Sequence, residues 1–170
     1  MTARDLSRAM STIARILDSN QQYVADYVAV ESRYPARHLA IATCMDSRID
    51  VFAALGLTLG DAHVLRNAGA RVTDDLLRSL ALSVRTMGTD TVVLMQHTGC
   101  GLEGVTAAEL REATGTDIDF LPIADHGDAI RADIELLAGA PVLEPVHTIA
   151  GLLFDIATGT VEELARWSRS

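Results

Sequence analysis

The chain alternates short apolar runs with segments of helical periodicity, and that alternation constrains its fold more than any other feature. HLAIATCM (38–45), AHVLRNAG (62–69) and TVVLMQH (91–97) are of strand length, the first following Pro35. Nearly continuous apolar character over so few residues fits strands buried on both faces of a parallel sheet. Between them lie DVFAALG (50–56), a short helix closed by Gly56, and the clearer helix of TDDLLRSLALSVRTMG (73–88). In the latter, Thr73 suits an N-cap, Asp74 and Asp75 suit the positive end, and Gly88 suits the stop. Residues 103–113 and 125–138 carry further helical patterns, and residues 114–126 read as a surface loop. AGLLFDIATGTVEEL (150–164) reads as a strand, a Thr-Gly turn and a short return strand. The expectation is an α/β fold: a mostly parallel central sheet of four strands plus a short C-terminal antiparallel strand, flanked by helices.

Ahead of the first strand, Leu6, Met10, Ile13, Ile16 and Leu17, then Tyr23, Val24, Tyr27 and Val28, recur at helical spacing, with a break near Asp18–Asn20. Two helices are predicted there. They form an N-terminal helical arm (1–35) that covers its own sheet or packs on another subunit. The rest, 38–164, is the core of a single domain spanning 1–170, with no internal repeat, low-complexity tract or interdomain linker.

With 170 residues, 49% of them hydrophobic, the chain can bury a sizeable core. A net charge of −9 argues against nucleic acid or another phosphate-rich partner. Every basic residue is arginine, which excludes Schiff-base and phosphate-loop lysines. No apolar run approaches the ~20 residues that span a bilayer, so no membrane association is expected. The opening MTARDLSRAMSTIARILDS breaks its apolar residues with Arg and Asp, unlike a secretory signal. The expected location is a reducing cytoplasm.

The chain has two cysteines, and both sit where an apolar run stops. Cys44 closes the first run. QHTGCG, carrying His97 and Cys100, closes the third. In open parallel sheets ligands collect at the carboxyl ends of strands. If the first and third strands are neighbours, the three side chains converge. Two thiolates and an imidazole suit tetrahedral zinc with a fourth position open. Cys44, Asp46 and Arg48 alternate, so in an extended segment they face one side. Two thiolates cancel the charge of zinc, and such a site acidifies bound water less than three imidazoles do. Asp46 could accept a hydrogen bond from an oxygen in the open position, or bind the metal itself and close it. Arg48 could hold Asp46 off the metal in a bidentate pair. Each motif alone has an ordinary explanation: a small buried hydrophobe, a disulfide, or a structural ion pair. Both motifs at strand ends, in a chain with no other cysteine, point to a metal centre. His38, His63, His126 and His147 have no partner spacing and read as surface or core histidines.

CMDSR (44–48), RNAG (66–69), HTGCG (97–101) and GLLFDIATGTVEEL (151–164), in this order and spacing, resemble the β-class carbonic anhydrases, and the small bacterial branch most. The resemblance spans about residues 38–164. It implies zinc held by Cys44, His97 and Cys100, with Asp46 and Arg48 as a catalytic dyad. In one branch the Asp46 position becomes the fourth ligand at rest. It implies reversible hydration of CO2 to bicarbonate and a proton, carried out by a homodimer, often paired into a homotetramer, with the site near the subunit interface. RNAG would be a structural turn in which Arg66 and Asn67 bond locally. The family also includes members acting on carbonyl sulfide (COS) or carbon disulfide (CS2). Relatives of this branch often carry an acidic residue before the second cysteine. Gly99 stands there instead, so a hydrogen-bond partner behind the ligands is missing and lower activity is expected with zinc binding intact. A non-catalytic zinc-holding subunit or small-anion binder is the reading of another class. Intact Asp46 and Arg48 count against it. A redox protein is disfavoured by the lack of C-x-x-C.

Overall fold

The computed structural model describes residues 11–169. The chain divides into two units, Met1–Glu31 and Ser32–Ser170.

In the first unit, helix α1 (Thr12–Val24) starts at Ser11, whose Oγ accepts a hydrogen bond from the Ala14 N–H at 3.2 Å. Two helices were expected across this region. Among the described residues there is one, and it passes through Asp18–Asn20 unbroken. Asp, Ser and Asn each cost at most about 0.7 kcal/mol in a helix interior, far less than a proline. No α1 side chain is buried, so no packing demand excludes them. The helix stops at Val24, and Tyr27 and Val28 lie beyond it. Leu6 and Met10 lie outside the described residues.

The second unit runs β1 (Leu39–Cys44), α2 (Val51–Leu55), β2 (Ala62–Asn67), α3 (Asp74–Met87), β3 (Thr91–His97), α4 (Ala107–Thr114), α5 (His126–Gly139), β4 (Thr148–Phe154) and β5 (Val161–Ser168). The sheet order is β2-β1-β3-β4-β5. β1 pairs in parallel with β2 and β3, β3 pairs in parallel with β4, and β5 lies antiparallel to β4. This is the expected arrangement, with a longer last strand. β5 reaches Ser168 because it stays paired along the whole of β4, with Ser168 opposite Thr148. The helix expected from residue 103 starts at Ala107, set by a capping box: Thr106 Oγ1 accepts from the Glu109 N–H, and the Glu109 carboxylate accepts from the Thr106 N–H.

From β1 the chain steps to β2 on one side, then crosses to β3 on the other. The crevice at the carboxyl ends of β1 and β3 is therefore a topological switch point, where open α/β sheets bind ligands. The sheet separates two cores. On one face Ala42 and Leu94 pack with Leu80 of α3 and Ile130 of α5. On the other, Ile41 and Met95 pack with Ile49, Leu102 and Ile123. Helix α5 crosses β4 so closely that a Cβ at Gly151 would overlap Ile130 Cγ2. Among the described residues, no helix is long and apolar enough to cross a membrane.

Candidate metal centre

Cys44 is the last residue of β1 and His97 the last of the adjacent β3. The turn that follows returns Cys100 to them. Sγ of Cys44, Sγ of Cys100 and a ring nitrogen of His97 all lie within 4.8 Å of one another, and all three residues are buried. Among the described residues this is the one such cluster. The two sulfurs stand 3.9 Å apart and are not bonded to each other. A disulfide needs about 2.05 Å. Two thiolates on one tetrahedral zinc, each about 2.3 Å from it, would stand about 3.8 Å apart.

The histidine is set up in the same sense. Its Nδ1 lies 3.0 Å from the Thr98 carbonyl oxygen, to which Nδ1–H donates, leaving the lone pair on Nε2. Nε2 is buried without a hydrogen-bond partner. A buried polar atom in that state is costly unless something fills the gap. Burial pushes the His97 pKa below its usual value, against the opposing pull of the Thr98 carbonyl, so the ring is neutral and able to ligate. Burial pushes the Cys100 thiol up, and neighbouring Cys44 adds to that. An incoming cation would have to displace its proton. The Gly69 N–H points at Cys44 Sγ from 3.4 Å.

Asp46 and Arg48 face this cluster as their spacing predicts. Arg48 Nε donates to Asp46 Oδ1 at 2.9 Å, and NH2 donates to Oδ2 at 2.7 Å. The Arg48 backbone N–H adds a third bond to Oδ1 at 2.9 Å. Hydrogen bonds from the Arg48 side chain, then from its backbone, hold the Asp46 carboxyl far below the usual carboxylate range. Asp46 Oδ2 lies 3.8 Å from His97 Nε2. The 44–49 segment is clamped by Arg66, which donates to the carbonyls of Cys44, Asp46 and Ile49 at 2.9, 2.5 and 3.3 Å. The Arg66 side chain thus does the local bonding expected of RNAG.

Beside the cluster opens a cavity of about 380 Å³, lined by Cys44, Asp46 and Cys100 and by apolar Leu102, Leu110 and Phe120. Phe120 reaches it from the 115–125 loop. Arg71 secures that loop by donating to the Leu121 and Pro122 carbonyls at 2.6 and 3.4 Å, and it is itself held by Asp133 of α5.

Glu103 and His126 were not singled out by the sequence, and both stand behind the site. Glu103 Oε2 accepts from the Gly99 N–H at 2.6 Å and lies 3.5 Å from His126 Nε2. His126 Nδ1 lies 2.8 Å from Gln96 Oε1, next to His97 in the chain. Burial works against the charge on Glu103, but the Gly99 N–H and His126 outweigh it and lower its pKa. No spacing rule links positions 99, 103 and 126. Of the remaining histidines, His63 Nδ1 contacts the buried Ser83 hydroxyl, His38 Nδ1 contacts the Gly88 carbonyl, and His147 is exposed.

The carbonic anhydrase family model matches residues 39–132. The chain belongs to the β-carbonic anhydrase family. Beta-carbonic anhydrase 1 of Mycobacterium tuberculosis is 34% identical over 154 residues, covering 87% of this chain and 94% of that one. The crystal structure of carbonic anhydrase from Streptococcus mutans superposes with a TM-score of 0.84 at 41% identity, covering 92% of this chain and 99% of that one. A carbon disulfide hydrolase of Acidithiobacillus thiooxidans is 30% identical over 149 residues, covering 72% and 75%.

Proposed function

We propose that the protein is a zinc-dependent carbonic anhydrase that interconverts CO2 with bicarbonate and a proton, using Cys44, His97 and Cys100 to hold the metal. The observation that carries this reading is the cluster itself. A neutral imidazole with an unpartnered nitrogen and two free thiols 3.9 Å apart match the donor set and spacing of tetrahedral zinc. Zinc there supplies Lewis acidity and makes water a usable nucleophile near neutral pH.

The chain's own residues do the rest. Cys44 and Cys100 contribute two negative charges that balance the ion. Asp46, kept ionised by Arg48, is a hydrogen-bond acceptor at the mouth of the site and orients a protonated oxygen there. Arg48 keeps both Asp46 oxygens occupied and so away from the metal. Leu102, Leu110 and Phe120 give the small apolar substrate a dry wall. Free, buried thiols fit a reducing cytoplasm. The exposed apolar side chains of α1, Ile13, Ile16 and Leu17 among them, offer a surface to a second copy in a homodimer or homotetramer.

A second reading, hydrolysis of COS or CS2 on the same centre, is favoured by the apolar cavity and by the relative named a carbon disulfide hydrolase. A non-catalytic zinc subunit would need neither Asp46 nor Arg48. The test is Asp46→Ala assayed for CO2, COS and CS2 turnover alongside zinc content. Loss of most CO2 turnover at full zinc supports the assignment. Unchanged turnover refutes the role of Asp46, and faster CS2 or COS turnover in the parent protein selects the second reading.

A further inference from the structure

Arg48 is a long, half-exposed side chain, its outer surface 51% accessible, yet Asp46 depends on it. Such a side chain loses much rotamer freedom when fixed, so a partner for Asp46 needs an anchor of its own. The anchor is Gly99: Arg48 NH2 donates to the Gly99 carbonyl at 3.0 Å while also bonding Asp46 Oδ2. Gly99 sits at φ 65°, in the left-handed region, with nothing within 4 Å of where a Cβ would be. A glycine in open space has many conformations to choose from. Besides Arg48 itself, the residue that holds this turn is Glu103. Its carboxylate accepts from the Gly99 N–H at 2.6 Å, and its own N–H donates to the Cys100 carbonyl at 3.0 Å, closing the turn. The carboxylate is backed by His126 Nε2 at 3.5 Å. The His126 ring is in turn backed by the almost fully buried Gln96.

From this arrangement we infer that Glu103 is a positioning residue for the site: it fixes Gly99 so that the Gly99 carbonyl holds Arg48 against Asp46. It lies three positions beyond Cys100, yet its carboxylate sits on the backbone of residue 99. There it supplies the hydrogen-bond partner that a glycine cannot carry itself. Glu103 acts through Arg48 and touches neither substrate nor metal. His126 and Gln96 hold it from behind. The inference deepens the proposed function and, for its effect on turnover, rests on it.

The experiment compares Glu103→Ala, Glu103→Gln and the parent protein, all zinc-loaded, by two readouts. The first is the Arg48 Nε–H resonance in 1H–15N NMR, which reports the Arg48–Asp46 pair whatever reaction the protein catalyses. Glu103→Ala is expected to collapse that resonance into the free-arginine position or broaden it away, with zinc content unchanged. Glu103→Gln keeps an oxygen for the Gly99 N–H and is expected to retain the resonance. The second readout is kcat/KM for CO2. The expected loss is about tenfold in Glu103→Ala, and about threefold or less in Glu103→Gln, because a fixed group that drifts loses much of its effect. In an Arg48→Ala background, Glu103→Ala is expected to add nothing further. An unshifted Arg48 signal in Glu103→Ala would overturn the inference. So would a full tenfold loss added on top of Arg48→Ala. If the parent protein has no CO2 activity, the proposed function fails while the NMR result still decides the role of Glu103.

Discussion

Asp133→Ala should cost far more stability than its distance from the metal centre suggests. Asp133 lies on α5 with its side chain 1% exposed, paired with Arg71, which is 11% exposed. The pair is bidentate, Nε to Oδ2 at 2.7 Å and NH2 to Oδ1 at 3.3 Å. Removing the carboxylate strands a guanidinium in the interior with only the Leu121 and Pro122 carbonyls for company. Breaking a buried pair from one side costs about 3–5 kcal/mol. For a chain of this size each kcal/mol moves Tm by about 2–4 °C, so a fall of about 6–20 °C is expected. The loop is affected too. Leu121 holds φ 51°, a left-handed conformation unfavourable for leucine, and Arg71 bonds its carbonyl. With Arg71 no longer held by Asp133, its grip on the loop should loosen, and Phe120 should no longer wall the cavity firmly. The assay is thermal unfolding of zinc-loaded protein by calorimetry, with the double variant Arg71→Met/Asp133→Leu as control. The double variant should recover part of the loss, because it leaves no unpaired buried charge, but not the part carried by the Arg71 bonds to the Leu121 and Pro122 carbonyls. A loss below about 1 kcal/mol in Asp133→Ala would mean the pair is as solvated as a surface bridge, and the reasoning would be wrong.

Gly151→Ala should destabilise by about 1–3 kcal/mol through its overlap with Ile130 Cγ2, and the added cost should shrink in an Ile130→Ala background, which has no Cγ2, when both are compared by chemical denaturation. Zinc affinity of stripped protein should rise with pH. The Cys100 pKa is raised, so its proton must leave on binding below that pKa; the His97 pKa is lowered, so the ring has no proton to lose near neutrality. At least one proton is released, giving about a tenfold or steeper gain per pH unit between about pH 6.5 and 8, read by competition with a chromophoric chelator. A flat profile would mean the thiols are already ionised in the metal-free state. If α1 carries the proposed contact between copies, Ile16→Glu/Leu17→Glu should lower the mass measured by light scattering toward that of one chain, where an unchanged mass would remove α1 from any subunit contact.

What could be seen in the sequence follows from the range of the forces involved. The strands were legible because buried parallel strands are short and apolar throughout, and the α3 start was legible because Thr73 caps it locally, its Oγ1 accepting from the Leu76 N–H. Cys44, His97 and Cys100 could be gathered because strand ends in such a sheet share one edge. The continuity of α1 is hard to see because Asp18, Ser19 and Asn20 read as a break, although none of them is a strong helix breaker. The reach of β5 depended on pairing with β4, a contact absent from its own pattern. Arg71 and Asp133 are 62 positions apart, and nothing in either neighbourhood marks the other. Glu103 and His126 meet only because the turn after β3 packs against the first residue of α5.

The central claim is that one zinc ion per chain, held by the two thiols and His97, gives the protein its reaction. Zinc titrated into stripped protein, with CO2 hydration followed by stopped flow at each addition, tests it most directly. Activity should climb in proportion to bound metal and stop at one ion per chain. Protein carrying one zinc per chain that hydrates CO2 no faster than buffer would contradict the account.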